Sequence, residues 1–151
     1  MRKLTATLAT LALAGLGALA PAASVQAVPT AANCDDNYES ATSGYMYAYR
    51  LSHCESYLGS SKEWDENWGN NSRSFQDDDD NRATSLLNKT GKYVAFYRLK
   101  DYKGGHICIA SGKKYVSSLK SDDVFSNGET ADNRISSHKK LTSDTCSKFM
   151  D

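Results

Sequence analysis

The hexapeptide Asp80-Asn81-Arg82-Ala83-Thr84-Ser85 returns later in the chain as Asp132-Asn133-Arg134-Ile135-Ser136-Ser137. A shorter element recurs as well: Tyr49-Arg50-Leu51 reappears as Tyr97-Arg98-Leu99. The hexapeptide follows the tripeptide by 31 positions in one copy and by 35 in the other. Two elements in the same order at nearly equal separation define an internal repeat. The chain reads as two similar halves, near residues 38–90 and 91–146. Neither half is large enough to bury a good core alone, so the two are expected to pack as one domain.

Around these elements the pattern is one of short strands. Tyr45-Met46-Tyr47-Ala48-Tyr49, Tyr93-Val94-Ala95-Phe96-Tyr97 and His106-Ile107-Cys108-Ile109 are rich in aromatic and β-branched residues, as strands with one buried face are. Turn clusters separate them at Asn70-Asn71-Ser72, Asn88-Lys89-Thr90-Gly91, Lys103-Gly104-Gly105 and Ser126-Asn127-Gly128. Helical periodicity is almost absent, and only Thr84 to Leu87 is read as a brief helical turn. Short strands at regular spacing predict an all-β sandwich or barrel.

The chain opens with Arg2 and Lys3, an apolar Leu- and Ala-rich run from Leu8 to Ala20, and the small-residue cleavage pattern Val25-Gln26-Ala27. These are the marks of a secretory signal peptide over residues 1–27. The run is short for a membrane span, so a released mature protein of residues 28–151 is expected, with Val28 to Asn33 as a short lead. Of the 18 basic and 18 acidic residues, only Arg2 and Lys3 fall in the leader, which leaves the mature chain near −2. That balance lacks the basic surplus of a nucleic-acid binder. Cys34, Cys54, Cys108 and Cys146 all lie in the mature part. An even count in an exported chain reads as two disulfides. Of the three possible pairings, Cys34–Cys54 with Cys108–Cys146 is favoured, because each bridge stays within one half. Spacings of a zinc site are missing.

Each hexapeptide groups hard oxygen donors: the carboxylates of Asp80 and Asp132, the amides of Asn81 and Asn133, and the hydroxyls of Thr84 and Ser136. Calcium prefers such oxygens together with backbone carbonyls. The candidate metal residues are Asp80, Asn81, Arg82, Thr84 and Ser85 in one copy and Asp132, Asn133, Arg134, Ser136 and Ser137 in the other. Two neighbouring copies can exchange ligands, so that both halves hold each ion. Asp77, Asp78 and Asp79 raise the local negative potential. The plainer alternative has Ser85 and Ser137 capping turns, with the acids solvated.

The stretch Tyr97 to Gly104 spaces two aromatics five residues apart, with a glycine two further on. In a folded hairpin the rings of Tyr97 and Tyr102 would stack across the bend, and Gly104 would take a positive φ. Tyr49, Tyr57 and Gly59 repeat the order with a turn longer by three residues that contains Cys54.

With the aromatic-x4-aromatic-x-Gly hairpin and the paired hexapeptides, the sequence resembles the βγ-crystallin superfamily, and within it the actinobacterial secreted peptidase inhibitors, which include an inhibitor of metalloproteinases. The resemblance covers nearly the whole mature chain. It implies two Greek-key motifs of four strands each, packed as a single disulfide-braced sandwich, with calcium near one pole. Departures are visible. Microbial relatives often carry Glu after the first hairpin aromatic, where Arg50 and Arg98 stand here, and a guanidinium there should weaken the site.

The sequence is compatible with three kinds of function. A secreted peptidase inhibitor would present a rigid loop, with Ser52–Lys62 and Asp101–His106 as candidates; Glu55 or His106 could approach a catalytic zinc. A calcium-stabilised extracellular binding or toxin-like module would use the same fold without inhibition. For such a module Trp64 and Trp68 would suit sugar stacking, although both fit better as core or loop braces. An enzyme is disfavoured, because no nucleophile-base spacing links His53, His106 and His138, which read as solvated turn residues. The expectation is a monomeric, extracellular, calcium-binding inhibitor of a secreted peptidase, with no nucleic-acid or membrane partner. Glycosylation triplets occur at Asn70 and Asn88.

Overall fold

The computed structural model describes residues 33–151 apart from Ser121. The leader expected over residues 1–27 and all of the lead but Asn33 lie outside the described residues. The chain enters through a short helix, α1 (Cys34–Ser40), whose N-cap Asn33 accepts a hydrogen bond from the Asp36 amide at 3.0 Å. Asp35 and Asp36 in its first turn suit the positive end of the helix. Sequence reading missed this helix, because seven residues are too few to show an apolar period.

Eight strands follow: β1 (Met46–Tyr49), β2 (Tyr57–Ser61), β3 (Trp64–Asp65), β4 (Ser85–Asn88), β5 (Tyr93–Leu99), β6 (Lys103–Ile109), β7 (Tyr115–Val116) and β8 (Ser137–Leu141). They form two antiparallel sheets of four, ordered β2-β1-β4-β7 and β3-β8-β5-β6. In each half the first strand pairs with the second and the fourth. The third strand leaves its own sheet: β3 pairs with β8 of the second half, and β7 with β4 of the first. Each half is thus a four-strand Greek key that lends one strand to the other, which is why the two cannot be separated into independent domains.

The inner faces supply the core. Ala48 pairs with Leu86 across β1 and β4, and Phe96 with His138 across β5 and β8. Met46, Ala48, Leu86, Val94, Phe96, Ile107 and Ile109 are all fully buried between the sheets. Trp68 stacks on Phe75 with centroids 4.0 Å apart and planes within 9°. A smaller cluster of Cys34, Tyr49, Cys54 and Leu87, flanked by Tyr38, Tyr47 and Tyr115, lies under α1 on the outer face of the first sheet. Burial there, with Tyr47 and Tyr57 nearby, raises the Tyr49 phenol to about 12.

Several local expectations are corrected. Thr84 to Leu87 is not helical: Ser85–Asn88 is strand β4, buried at every position and paired on both sides. Lys103-Gly104-Gly105 does not close a turn but begins β6. At Gly105 an added Cβ would meet Asn127 and Phe125, so this glycine serves close packing. His138 is no turn residue either: it is fully buried in β8, where its Nδ1 accepts from the Trp68 indole at 2.9 Å. Desolvation lowers its pKa from 6.5 to about 3. Asn88 is buried, and its amide donates to the Lys92 and Ala110 carbonyls, so its triplet offers no glycan acceptor.

Candidate functional site: two folded hairpins and a reciprocal clamp

The hairpins are built as the repeat suggested. The rings of Tyr49 and Tyr57 meet edge to face at 6.0 Å, and those of Tyr97 and Tyr102 at 5.7 Å. Gly104 has φ +77°. Gly59 fills the equivalent place for another reason, since a Cβ there would sit 2.8 Å from the Phe75 ring. Each bend is pinned by the last serine of its own hexapeptide. Ser85 Oγ donates to the Leu51 carbonyl at 2.6 Å and accepts from the Cys54 amide at 3.0 Å. Ser137 Oγ donates to the Leu99 carbonyl at 2.7 Å and accepts from the Tyr102 amide at 3.2 Å. Both hydroxyls, expected among the ligands, are engaged in the hairpins.

The remaining clamp residues of the two halves do come together. The Asn81 amide donates to the Ile135 carbonyl at 3.0 Å, and the Asn133 amide to the Ala83 carbonyl at 2.9 Å. Both asparagines occupy the left-handed region, with φ 57° and 53°, which asparagine tolerates better than most residues. The Thr84 amide donates to the Tyr49 carbonyl at 2.9 Å, and the Ser136 amide to the Tyr97 carbonyl at 3.0 Å. This matched ladder aims each hydroxyl at the other copy. Thr84 Oγ1 lies 2.7 Å from Asp132 Oδ1 and 3.4 Å from Asn133 Oδ1. Ser136 Oγ lies 3.4 Å from Asn81 Oδ1.

The two clamps are not equal. Asp132 Oδ1 accepts the Thr84 hydroxyl, whereas Asp80 Oδ1 is buried without a hydrogen-bond partner; the other oxygen of each carboxylate accepts from its neighbouring asparagine amide. Arg98 leans on the first clamp, with Nη1 3.4 Å from Asn81 Oδ1 and Nε 2.8 Å from Glu129 Oε2. Arg50 is exposed. Arg82 and Arg134 direct their guanidinium groups to Asp78 at 3.5 Å and Glu129 at 3.7 Å, so either would offer a cation only its carbonyl. Asp77 accepts from Asn71, and Asp79 caps the Gln76 amide, so these acids brace the preceding turn. Among the described residues no cluster of three His, Cys, Asp or Glu side chains is arranged for a metal. The donor set is one carboxylate per clamp plus amide, hydroxyl and carbonyl oxygens. That set suits calcium and not zinc. The partnerless, buried Asp80 oxygen is a place where a cation would satisfy an otherwise costly group.

Both disulfides join the favoured pairs, Cys34–Cys54 and Cys108–Cys146. The first ties α1 to the bend of the longer hairpin. The second ties β6 to the C-terminal segment, where Phe149 bridges Cys108 along the sheet edge. Between Tyr49 and Tyr57, His53, Cys54 and Ser56 all have positive φ, near 60°. Leu51 and Tyr57 stand exposed at its flanks. The other candidate loop, Asp101–His106, is largely strand, since β6 starts at Lys103. The tryptophans divide: Trp68 is core, and Trp64 is exposed at the edge of the second sheet.

Two Greek keys that exchange their third strands, each closed by a folded hairpin, define a βγ-crystallin-type domain. A solved chain described under the evolution of the eye-lens βγ-crystallin domain fold superposes with a TM-score of 0.53 at 12% identity, covering 69% of this chain and 91% of its own length. A βγ-crystallin from Ciona intestinalis aligns with TM-score 0.48 and 9% identity over 65% of this chain and all of its own. An archaeal βγ-crystallin aligns with TM-score 0.47 and 17% identity over 66% of this chain and all of its own. The model of peptidase inhibitor family I36 matches residues 35–109, from α1 through β6. No curated protein matches. The chain has a βγ-crystallin-type fold, and its residues 35–109 resemble peptidase inhibitor family I36. Its two disulfides are of the kind that persists outside the cell, and no helix among the described residues is long and apolar enough to cross a membrane.

Proposed function

We propose that this is a secreted, monomeric peptidase inhibitor whose fold is locked by calcium at the reciprocal clamp. The inhibitor reading rests on the family match over residues 35–109. The calcium reading rests on one observation: Thr84 and Ser136 each reach across to the acid-amide pair of the other half, beside a buried Asp80 oxygen with no partner. A cation held by Asp80, Asn81 and Ser136, or by Asp132, Asn133 and Thr84, would tie the two halves at the point where their backbones already cross-link.

The first hairpin is the surface offered to a peptidase. Its disulfide and pinning serine lower the ordering cost of binding. Its left-handed residues are unlike the extended backbone of a cleaved substrate, so Leu51, His53, Glu55 and Tyr57 act as a rigid contact surface. The test is titration of secreted peptidases, metallopeptidases first, with the oxidised protein in calcium and in chelator. Near-equimolar inhibition that a Leu51→Ser, Tyr57→Ser variant loses supports the reading. Calcium binding without inhibition of any peptidase tried would favour a calcium-stabilised binding module.

A further inference from the structure

Trp64 lies on the two-residue edge strand β3, opposite Lys139 of β8, and is 45% exposed. Two grooves share its indole and Glu63 as walls. The first, of about 380 Å³, is completed by Tyr102, Lys139 and Lys140. The second, of about 430 Å³, is completed by Ser61, Lys62, Ser72, Arg73 and Ser74. The Arg73 guanidinium stacks on the indole 5.1 Å from its centroid and lines only the second groove. The ring surface facing the first groove is free of it. Lys139 Nζ sits 5.1 Å from the Tyr102 ring and 5.4 Å from that of Tyr97. Lys140 is held 3.3 Å from Glu63.

We infer that this surface is a binding site for an acidic saccharide, two contiguous subsites on either side of Trp64. A pyranose ring presents apolar C–H faces and a polar rim, and an indole with a carboxylate and a phenol beside it matches both. Four cations, Lys62, Arg73, Lys139 and Lys140, border the grooves against the single groove carboxylate of Glu63. Arg73 is paired with Glu66 at 2.8 Å and Lys140 with Glu63 at 3.3 Å, which leaves Lys62 and Lys139 as the groove cations without a carboxylate partner among the described residues, and the complementary ligand bears carboxylates, as a uronate polymer does. The serine-lined second groove continues the track with hydroxyl donors. Neither the clamps nor the Leu51–Tyr57 bend of the first hairpin lines this surface; of that hairpin only Ser61, at the far end of β2, reaches it.

The test is titration of the oxidised protein with oligogalacturonate in chelator. Maltoheptaose serves as a neutral sugar control and polyglutamate as a polyanion without sugar rings. Trp64 and Trp68 are the two tryptophans. Because Trp68 is buried on Phe75 and His138, a ligand-dependent emission change reports Trp64. The expected result is saturable binding of oligogalacturonate that is salt-sensitive and roughly tenfold tighter than that of maltoheptaose. By calorimetry, Trp64→Ala and Lys140→Met each weaken it by roughly tenfold, while unchanged melting temperatures of both variants show the fold intact. No binding, equal binding of polyglutamate, or unchanged affinity in both variants would overturn the site. None of these outcomes touches the calcium or inhibitor reading, since neither calcium nor peptidase is present.

Discussion

The two folded hairpins solve one problem by different means. The second turns tightly from Tyr97 to Gly104, with Asp101 and Tyr102 left-handed and no covalent brace in the bend. The first carries three more residues between its aromatics, has three left-handed residues, and is bridged through Cys54 to α1. Yet the serine pins are nearly superposable, at 2.6 and 2.7 Å to the Leu51 and Leu99 carbonyls. Those two leucines are exposed to the same degree, 48% and 47%. The extra residues are placed where the backbone already leaves the sheet, and the aromatic pair and pinning serine stay fixed. The insertion thus changes the surface without changing the frame.

If the longer bend depends on its brace, removing Cys34–Cys54 by double serine substitution should cost roughly 2–5 kcal/mol and disorder the first hairpin alone. Denaturant melts with site-resolved hydrogen exchange would show it. Loss of protection in both hairpins would break the comparison. Removing Cys108–Cys146 should cost a similar amount but loosen the C-terminal segment.

The pins are the next largest effect. Ser85→Ala and Ser137→Ala each strip a part-buried carbonyl and a backbone amide, buried at Cys54 and part-buried at Tyr102, of their shared partner, at about 1–3 kcal/mol. Similar losses in denaturant melts are expected, because the pins are alike. A negligible effect in the first hairpin would mean that its disulfide alone holds it.

The halves also differ just after the pins, where Leu86 of the first corresponds to His138 of the second. Burial depresses the His138 pKa from 6.5 to about 3, so the fold accepts only the neutral ring. Its contribution is intact above pH 6.5 and is lost as pH falls from there toward 3. At 1.36 kcal/mol per unit this amounts to about 2 kcal/mol at pH 5. His138→Leu, which makes the second half resemble the first, should flatten this acid loss, though it leaves the Trp68 indole without an acceptor and lowers stability at pH 7. Urea melts at pH 7 and pH 5 for both proteins would show whether the acid sensitivity survives the substitution.

The smallest expected difference lies in the clamps. Arg98 Nη1 touches Asn81 of the first clamp and among the described residues no such contact reaches Asn133, so Arg98→Glu should tighten calcium binding at the first clamp more than at the second. Two-site calorimetry would separate the two.

Most of the fold was legible because the repeat fixed it. Once Tyr49-Arg50-Leu51 and the hexapeptide were matched to their second copies, two halves, two hairpins and the within-half disulfides followed. Short strands without a repeat were not legible. The residues of β4 resemble a helical turn in sequence because Ser85-Leu86-Leu87-Asn88 is buried on both faces and shows no alternation. Gly104 and Gly105 mark a turn by composition, whereas both lie in β6, where Gly105 packs against Asn127 and Phe125. His138 reads as solvated because nothing in Ser137-His138-Lys139 shows that Trp68, seventy residues away, supplies its partner. At the clamp, the donor types and the exchange between halves were visible. That Ser85 and Ser137 hold hairpins, and that Asp80 and Asp132 differ in their partners, depended on three-dimensional neighbours.

The most direct measurement is calorimetric calcium titration of the oxidised mature protein after chelation, with a melting curve at each end. Saturable binding, a raised melting temperature, and greater weakening by Asp132→Ala or Ser136→Ala than by the control Asp122→Ala are the results predicted. Absence of binding heat and of any melting shift, or equal effects of all three substitutions, would contradict the claim that the crossed hexapeptides form a calcium clamp.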